Sequence, residues 1–138
     1  MTGQYEHNLD AKGRLIVPAA LRKELGDVCH VTLSGENCLF VYSDTEWQKF
    51  CDKLNELKRI DSRDMRVVFA NTADCEFDGQ GRILVPQKLR DFVGVKKTVT
   101  ILGFSNHAEI WDRDTYAAYE AERLTPEKIS AIWEALPI

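Results

Sequence analysis

Two arginines, Arg14 and Arg82, stand four residues after an aspartate, Asp10 and Asp78 respectively. A guanidinium is a planar fork of donors that fits a phosphate or the O6/N7 edge of guanine. The four-residue spacing around a turn also favours an intramolecular ion pair with the preceding aspartate. Both interpretations stay open, and both hold if the aspartate orients the arginine. We therefore take Arg14 and Arg82 as candidate DNA-binding residues.

The charge distribution bears on this hypothesis. The whole chain has a net charge of −4, which is not typical of a nucleic-acid-binding protein. However, residues 10–26 carry a net charge of +2 and residues 78–97 a net charge of +3, whereas the acidic excess follows Glu109. Lys12 lies at the tip of the first turn, where it can contact phosphate, and its counterpart Gln80 is neutral. The first aspartate–arginine pair is therefore expected to make the stronger DNA contact.

Catalytic and metal-binding chemistry is less well supported. Asp10 and Asp78 could form a carboxylate pair for acid–base chemistry, but hydrogen bonds to backbone N–H groups in a turn explain them better. The histidines, His7, His30 and His107, are scattered and lack the spacing of zinc ligands. We expect no enzymatic activity, no metal, no cofactor and no small-molecule substrate.

The two arginines belong to an internal repeat. Residues 10–26 are DAKGRLIVPAALRKELG and residues 78–94 are DGQGRILVPQKLRDFVG, and eight of these seventeen positions are identical. An internal repeat of this kind indicates that one structural unit occurs twice in the chain. Each copy spans about 45 residues, so neither can bury a sizeable core alone. We expect the copies to share one core around a pseudo-two-fold axis.

The same order of elements is predicted in each copy. Gly13 and Gly81 can adopt the positive φ that closes a hairpin between an extended run and the RLIVP or RILVP segment. Pro18 and Pro86 end that strand and suit the first turn of a helix. A second hairpin completes each copy. Basic residues on the two short helices are interpreted as solvated surface: Arg22, Lys23, Lys88 and Arg90.

Helices are predicted between and after the copies. Ser43 and Glu46 form a capping box, a second helix is expected over residues 63–73, and Thr125 precedes a proline that begins the last helix. The fold class is therefore α+β and β-rich. The predicted division is a first module at residues 5–47, a helical connector at 48–74, a second module at 75–119 and a C-terminal helical tail at 120–138.

Several features favour the cytoplasm. No apolar run approaches the ~18 residues that span a bilayer, and the first residues lack the basic and apolar regions of a secretory signal. The four cysteines contain no C-x-x-C pair, and we expect reduced thiols, some of them packed as small apolar side chains.

The pattern D-x-x-G-R-[LI]-x-V-P, present twice, resembles the SpoVT-AbrB swapped-hairpin family. Two such modules in one chain, joined by helices, resemble the MraZ family, whose D-x-x-x-R motif matches Asp10 to Arg14 and Asp78 to Arg82. The resemblance implies that hairpins of the two copies interleave into one β barrel. It also implies a nucleoid-associated homo-oligomeric ring that binds repeated promoter elements in double-stranded DNA upstream of the division and cell-wall gene cluster, usually as a repressor.

Two alternative functions stay open from the sequence. The chain could be an antitoxin-like regulator whose acidic tail binds a toxin, although residues 112–136 are predicted to be helical rather than disordered. It could also be a ring-forming assembly protein that does not bind DNA. A gel shift on the DNA upstream of its gene distinguishes these functions.

Overall fold

The computed structural model describes residues 1–57 and 61–138, so residues 58–60 of the predicted connector lie outside the described part. The fold is α+β, as predicted. The strands are β1 (Gln4–Asn8), β2 (Arg14–Ile16), β3 (Val28–Leu33), β4 (Leu39–Ser43), β5 (Ala73–Glu76), β6 (Arg82–Leu84), β7 (Thr98–Phe104) and β8 (His107–Asp112). The helices are α1 (Ala19–Leu25), α2 (Asp44–Glu56), α3 (Ser62–Ala70), α4 (Gln87–Phe92), α5 (Arg113–Arg123) and α6 (Pro126–Ala135).

The strands form one six-stranded antiparallel sheet, in the order β1-β7-β8-β4-β3-β5, and one two-stranded sheet, β2-β6. Strands β5, β7 and β8 of the second copy correspond to β1, β3 and β4 of the first. If each strand is replaced by its counterpart, the same order is obtained in reverse. Strands at both ends of the larger sheet thus pair with a strand of the other copy.

The predicted first hairpin of each copy is wrong. Strand β1 pairs with β7, from Gln4 opposite Leu102 to Asn8 opposite Thr98, and β2 pairs with β6. The turn at residues 10–14 is nevertheless present: the N–H of Asp10 donates to the carbonyl of Arg14 at 3.0 Å. A turn reverses the chain locally, but it does not decide which strand offers the longer ladder and the larger apolar face.

The core confirms that the two copies share one interior. The main apolar cluster includes Leu15, Val17, Leu21 and Leu25 of the first copy together with the residues at the equivalent positions of the second, namely Ile83, Val85, Leu89 and Val93. All eight are less than a tenth exposed. Each Å² of apolar surface removed from water stabilises the fold by about 25 cal/mol. This cluster forms, and its surface is buried, only when both copies are present.

Helix boundaries follow local capping signals. The Ser43 hydroxyl accepts a hydrogen bond from the N–H of Glu46 at 3.3 Å, which is one half of the predicted capping box, whereas the Glu46 carboxylate contacts the side chains of Lys49 and Asn106. Thr125 caps α6 with its hydroxyl, and the helix begins after it, as predicted. The helix predicted at residues 63–73 ends earlier, at Ala70, because Ala73 already belongs to β5 and pairs with Val31 of β3. None of the described helices combines the length and apolar character needed to cross a membrane.

Three of the four cysteines pack as apolar side chains. Cys29, Cys38 and Cys75 are buried, and Cys51 is partly exposed, all as free thiols. Burial raises the pKa of Cys29 and of Cys38 to about 12 and that of Cys75 to about 11. These thiols therefore stay protonated near neutral pH and contribute packing rather than reactivity.

Candidate nucleic-acid interface

The two repeat motifs meet in the β2–β6 ribbon, formed by residues 14–16 and 82–84. Leu15 lies opposite Ile83, its equivalent in the other copy. The N–H of Val17 donates to the carbonyl of Gly81 at 3.1 Å, and the equivalent bond from Val85 to Gly13 measures 3.0 Å. The ribbon therefore ties the turn of each copy to the strand of the other.

Strand alternation gives the ribbon two distinct faces. Leu15 and Ile83 point into the core, and each is at most 1% exposed. The remaining residues share the outer face: Arg14, Ile16, Arg82 and Leu84. Arginines from both copies are thereby brought to one surface as diagonal neighbours, because Arg14 pairs with Leu84 and Arg82 with Ile16.

Asp10 holds Arg14 in a fixed orientation. The N–H groups of Lys12 and Arg14 donate to Asp10 Oδ1 at 3.0 and 2.8 Å, and Arg14 Nε donates to Oδ2 at 2.6 Å. The backbone N–H of Arg14, followed by its guanidinium, lowers the pKa of Asp10 below its ordinary value. The ion pair therefore persists through the neutral range and is lost only as the pH falls through that lowered pKa.

Asp78 and Arg82 repeat this arrangement in the second copy. The N–H groups of Gln80 and Arg82 each donate to Asp78 Oδ1 at 2.9 Å, and Arg82 Nε donates to Oδ2 at 2.8 Å. The N–H of Arg82 likewise lowers the pKa of Asp78. Arg82 Nη1 also lies 3.7 Å from Asp10 Oδ2, so the first-copy carboxylate contacts arginines of both copies. The structure thus confirms the intramolecular pair at both motifs, and it leaves the terminal Nη atoms of Arg14 without a partner among the described residues.

This chain is similar over most of its length to proteins of one family. The model of the MraZ protein family, described as antitoxin-like, matches twice, at residues 1–67 and 68–131. "Transcriptional regulator MraZ" of Halothermothrix orenii is 40% identical over 99% of this chain and 98% of its own length. The protein of the same name from Desulforamulus reducens is 43% identical over 87% of each chain. The chain belongs to the MraZ family.

In this member of the family, the prolines of the motif directly precede the short helices. Pro18 and Pro86 have φ values of −54° and −56° and occupy the N-cap positions of α1 and α4. Their carbonyls accept the first helical hydrogen bonds, at 2.9 Å from the N–H of Leu21 and at 3.1 Å from that of Leu89. Each proline therefore ends its ribbon strand and starts a helix whose leucine enters the shared core.

The interpretation of the helix arginines as solvated surface is wrong for Arg22 and Arg90. The Nε of Arg22 donates to the carbonyl of Val17 at 2.9 Å, and Arg90 makes the equivalent bond to Val85 at 2.9 Å. Each guanidinium lies against the motif glycine of the other copy. Lys23 and Lys88 are exposed, as predicted. The sequence signal for this role was the presence of arginine at both equivalent positions of the repeat.

Gly13 and Gly81 are required for two reasons. Both have positive φ, +81° and +76°, a region that disfavours other residues. A Cβ on Gly13 would lie 2.5 Å from Arg90 Nη2, and one on Gly81 would lie 2.6 Å from Arg22 Cζ. The glycines therefore let the arginine of one copy cover the turn of the other.

Gly13→Ala is expected to destabilise the protein more than Gly94→Ala. Gly94 also has a positive φ, +69°, but no atom lies within 4 Å of its virtual Cβ. Both variants should lose about 1–2 kcal/mol through the backbone conformation, and only Gly13→Ala must also displace Arg90. Thermal or urea unfolding measures the difference. Equal free energies of unfolding for the two variants would show that the arginine contact contributes nothing to stability.

Proposed function

We propose that this chain is a transcriptional regulator that binds double-stranded DNA through the outer face of the β2–β6 ribbon and the two turns beside it. The observation that carries the proposal is the presence of two motif arginines, one from each copy, on one face of a two-stranded ribbon. Such a ribbon fits into the major groove of B-DNA. The proposed contacts are Lys12, Arg14 and Arg82.

The aspartates give the arginines a defined role. Because Asp10 binds the Nε of Arg14, the Nη groups at the end of the fork stay available for a second acceptor. A guanine edge or a phosphate would accept hydrogen bonds from these Nη groups, and such bonds are charge-assisted because the guanidinium is positively charged. The rotamer entropy that a free arginine would lose on binding is already lost in the folded chain. Asp10 and Asp78 are therefore positioning residues for the DNA contact.

The local electrostatics support binding despite the acidic total. The motif regions bring five basic side chains, Lys12, Arg14, Arg22, Arg82 and Arg90, beside two carboxylates, Asp10 and Asp78. Lys12 is exposed at the tip of the first turn, and Gln80 takes its place in the second. The first copy should therefore contribute more phosphate attraction than the second.

The names of the relatives support regulation of transcription, and the family resemblance extends the proposal. We infer a nucleoid-associated repressor of the division and cell-wall gene cluster that acts as a homo-oligomeric ring. We also infer that the two modules form one barrel around a pseudo-two-fold axis. The palindromic strand order and the pairing of Leu15 with its equivalent Ile83 support that symmetry.

A gel shift with the DNA directly upstream of the gene tests the function. The full chain should shift this fragment at concentrations that leave a shuffled fragment of equal length and composition free. Cell-wall and division genes immediately downstream would support the proposed target. Equal affinity for both fragments over a range of salt concentrations would contradict sequence-specific regulation.

Binding should depend steeply on the number of sites in the DNA. One protomer can neutralise only a few phosphates, whereas a ring that engages several repeats makes each later contact intramolecular, with avidity gains on the order of 10²–10⁴. We expect a duplex with two correctly spaced repeats to bind far more tightly than a duplex with one. The slope of log affinity against log salt concentration should also become steeper with repeat number, by about −0.9 for each phosphate neutralised. Equal affinity for one and three repeats would exclude avidity as the source of binding strength.

Exposed apolar side chains on α6 favour a protein contact, which we assign to another copy of this chain. Ile132 and Trp133 are 55% and 63% exposed, and no residue of α6 is buried within the chain. Removal of residues 125–138 should therefore reduce the oligomer size measured by light scattering. The antitoxin-like alternative would place a toxin on the same helix, and the truncation would then leave the oligomer unchanged.

A further inference from the structure

Two aliphatic side chains occupy the outer face of the β2–β6 ribbon beside the motif arginines. Ile16 is 43% exposed and Leu84 is 55% exposed. They stand at equivalent positions of the two copies, one residue after the buried Leu15 and Ile83. Single exposed aliphatic residues are common on protein surfaces. Here, however, the two occupy half of the four positions on the face that carries both arginines.

Register gives this face an alternating pattern. Ile16 lies opposite Arg82, and Leu84 lies opposite Arg14. The two aliphatic residues are therefore diagonal neighbours, which in an antiparallel pair are about 7–8 Å apart. This separation corresponds to about two base-pair steps of 3.4 Å each. Strands β2 and β6 are antiparallel, and Ile16 and Leu84 occupy equivalent positions in them. The two side chains therefore lean toward opposite ends of the ribbon.

We propose that Ile16 and Leu84 contact the C5-methyl groups of thymines in the major groove, and so contribute to sequence specificity. The inference rests on the proposed DNA-binding function. The thymine methyl is the one apolar group that a base pair presents in that groove, and cytosine lacks it. The two thymines would lie on opposite DNA strands, about two steps apart, flanked by the bases or phosphates that Arg14 and Arg82 contact.

The charge of the surface favours DNA over a second copy of the chain as the occupant. A self-contact through this face would bring the motif regions of two protomers together, and in each of them five basic side chains outnumber two carboxylates. Like charges placed together in this way disfavour association. A polyanion with apolar methyl groups in its groove instead complements both kinds of side chain on the ribbon.

The test compares the same upstream DNA with and without its methyl groups. The upstream fragment is amplified with either dTTP or dUTP, since uracil keeps the hydrogen-bonding groups of thymine but lacks the C5-methyl. Loss of one buried methyl contact should weaken binding about fourfold. With two contacts in each protomer, wild-type protein should bind the uracil fragment at least tenfold more weakly. This comparison needs no altered protein.

A double-mutant cycle assigns the effect to these side chains. The variant with Ile16→Ala and Leu84→Ala should bind the thymine fragment more weakly than wild type, yet lose at most about twofold more on the uracil fragment. Val67→Ala serves as the matched control, because Val67 is an aliphatic residue that is 57% exposed and belongs to α3 rather than to the ribbon. Size-exclusion chromatography and melting curves establish that each variant keeps its fold and oligomer.

The possible outcomes separate this inference from the proposed function. If wild type binds the thymine and uracil fragments equally, the methyl contact is wrong although DNA binding stands. If the double variant loses the same factor on uracil as wild type, the effect arises from the DNA itself and the inference is also overturned. A change of oligomer size in the double variant would identify the face as a protein contact. If wild type fails to shift the thymine fragment, the proposed function itself fails.

Discussion

Arg14→Ala is expected to weaken specific binding to the upstream DNA by at least 100-fold and to leave the fold and the oligomer intact. A bidentate arginine–base contact contributes about 1–3 kcal/mol, and every protomer engaged on the DNA would lose one. The fold should survive because Asp10 keeps its hydrogen bonds from the backbone of Lys12 and of residue 14. Fluorescence anisotropy at fixed salt measures the affinity, and light scattering measures the oligomer.

Three companion variants sharpen this experiment. Arg82→Ala should weaken binding less, because the second turn carries Gln80 where the first carries Lys12. Arg14→Lys keeps the charge but removes the fork, so it should retain non-specific binding and lose specificity. Arg113→Ala is the matched control, since Arg113 forms an exposed ion pair with Asp114 on α5. Wild-type affinity in a correctly assembled Arg14→Ala protein would refute the assignment of the site.

A fragment that ends at Leu57 is expected to be unfolded or aggregated as a monomer. It contains β1 and β2 but lacks β7 and β6, the strands with which they pair. It also lacks the second-copy half of the core, including Ile83 and Val85. A chain of this length is only marginally able to offset the conformational entropy lost on folding, so it should not tolerate the loss of half of its core. Circular dichroism and size-exclusion chromatography of the purified fragment measure the result.

The oligomeric state decides how this result is interpreted. A monomeric fragment that melts cooperatively would show that the first copy folds alone, contrary to the shared core. A folded dimer would agree with it, because a second first copy could supply the missing strand partners and core residues. Addition of the 61–138 fragment should restore folded structure if the two halves complement each other.

Much of the local structure could be predicted from the sequence. The repeat identified both copies of the ribbon strand, the helix after each proline and the hairpin that follows. The caps at Ser43 and Thr125 were also recognisable, because a side chain and the N–H that it accepts lie only three residues apart. The ion pairs of Asp10 and Asp78 were predicted as one of two alternatives, since their partners are four residues away along a turn.

Strand pairing and the surroundings of the ribbon could not be predicted in the same way. A local hairpin between β1 and β2 was the expected product of the Asp–Gly turn, yet β1 pairs with a strand at least ninety residues away. The contact of Arg90 with Gly13 was missed for the same reason. Alternation within RLI and RIL could have placed Ile16 and Leu84 beside the arginines, but only the β2–β6 register joins the two segments into one face.

The duplicated module, the elements in each copy and the candidate DNA-contacting residues follow from the residue pattern alone. Those properties depend on backbone preferences and side-chain partners within a few residues of each other. The strand partners between the copies, and the placement of Arg14 and Arg82 on one surface, became apparent only in the three-dimensional fold. Strand partners are selected by where apolar area can be buried and backbone groups paired across the whole chain, and no segment of one copy contains that information.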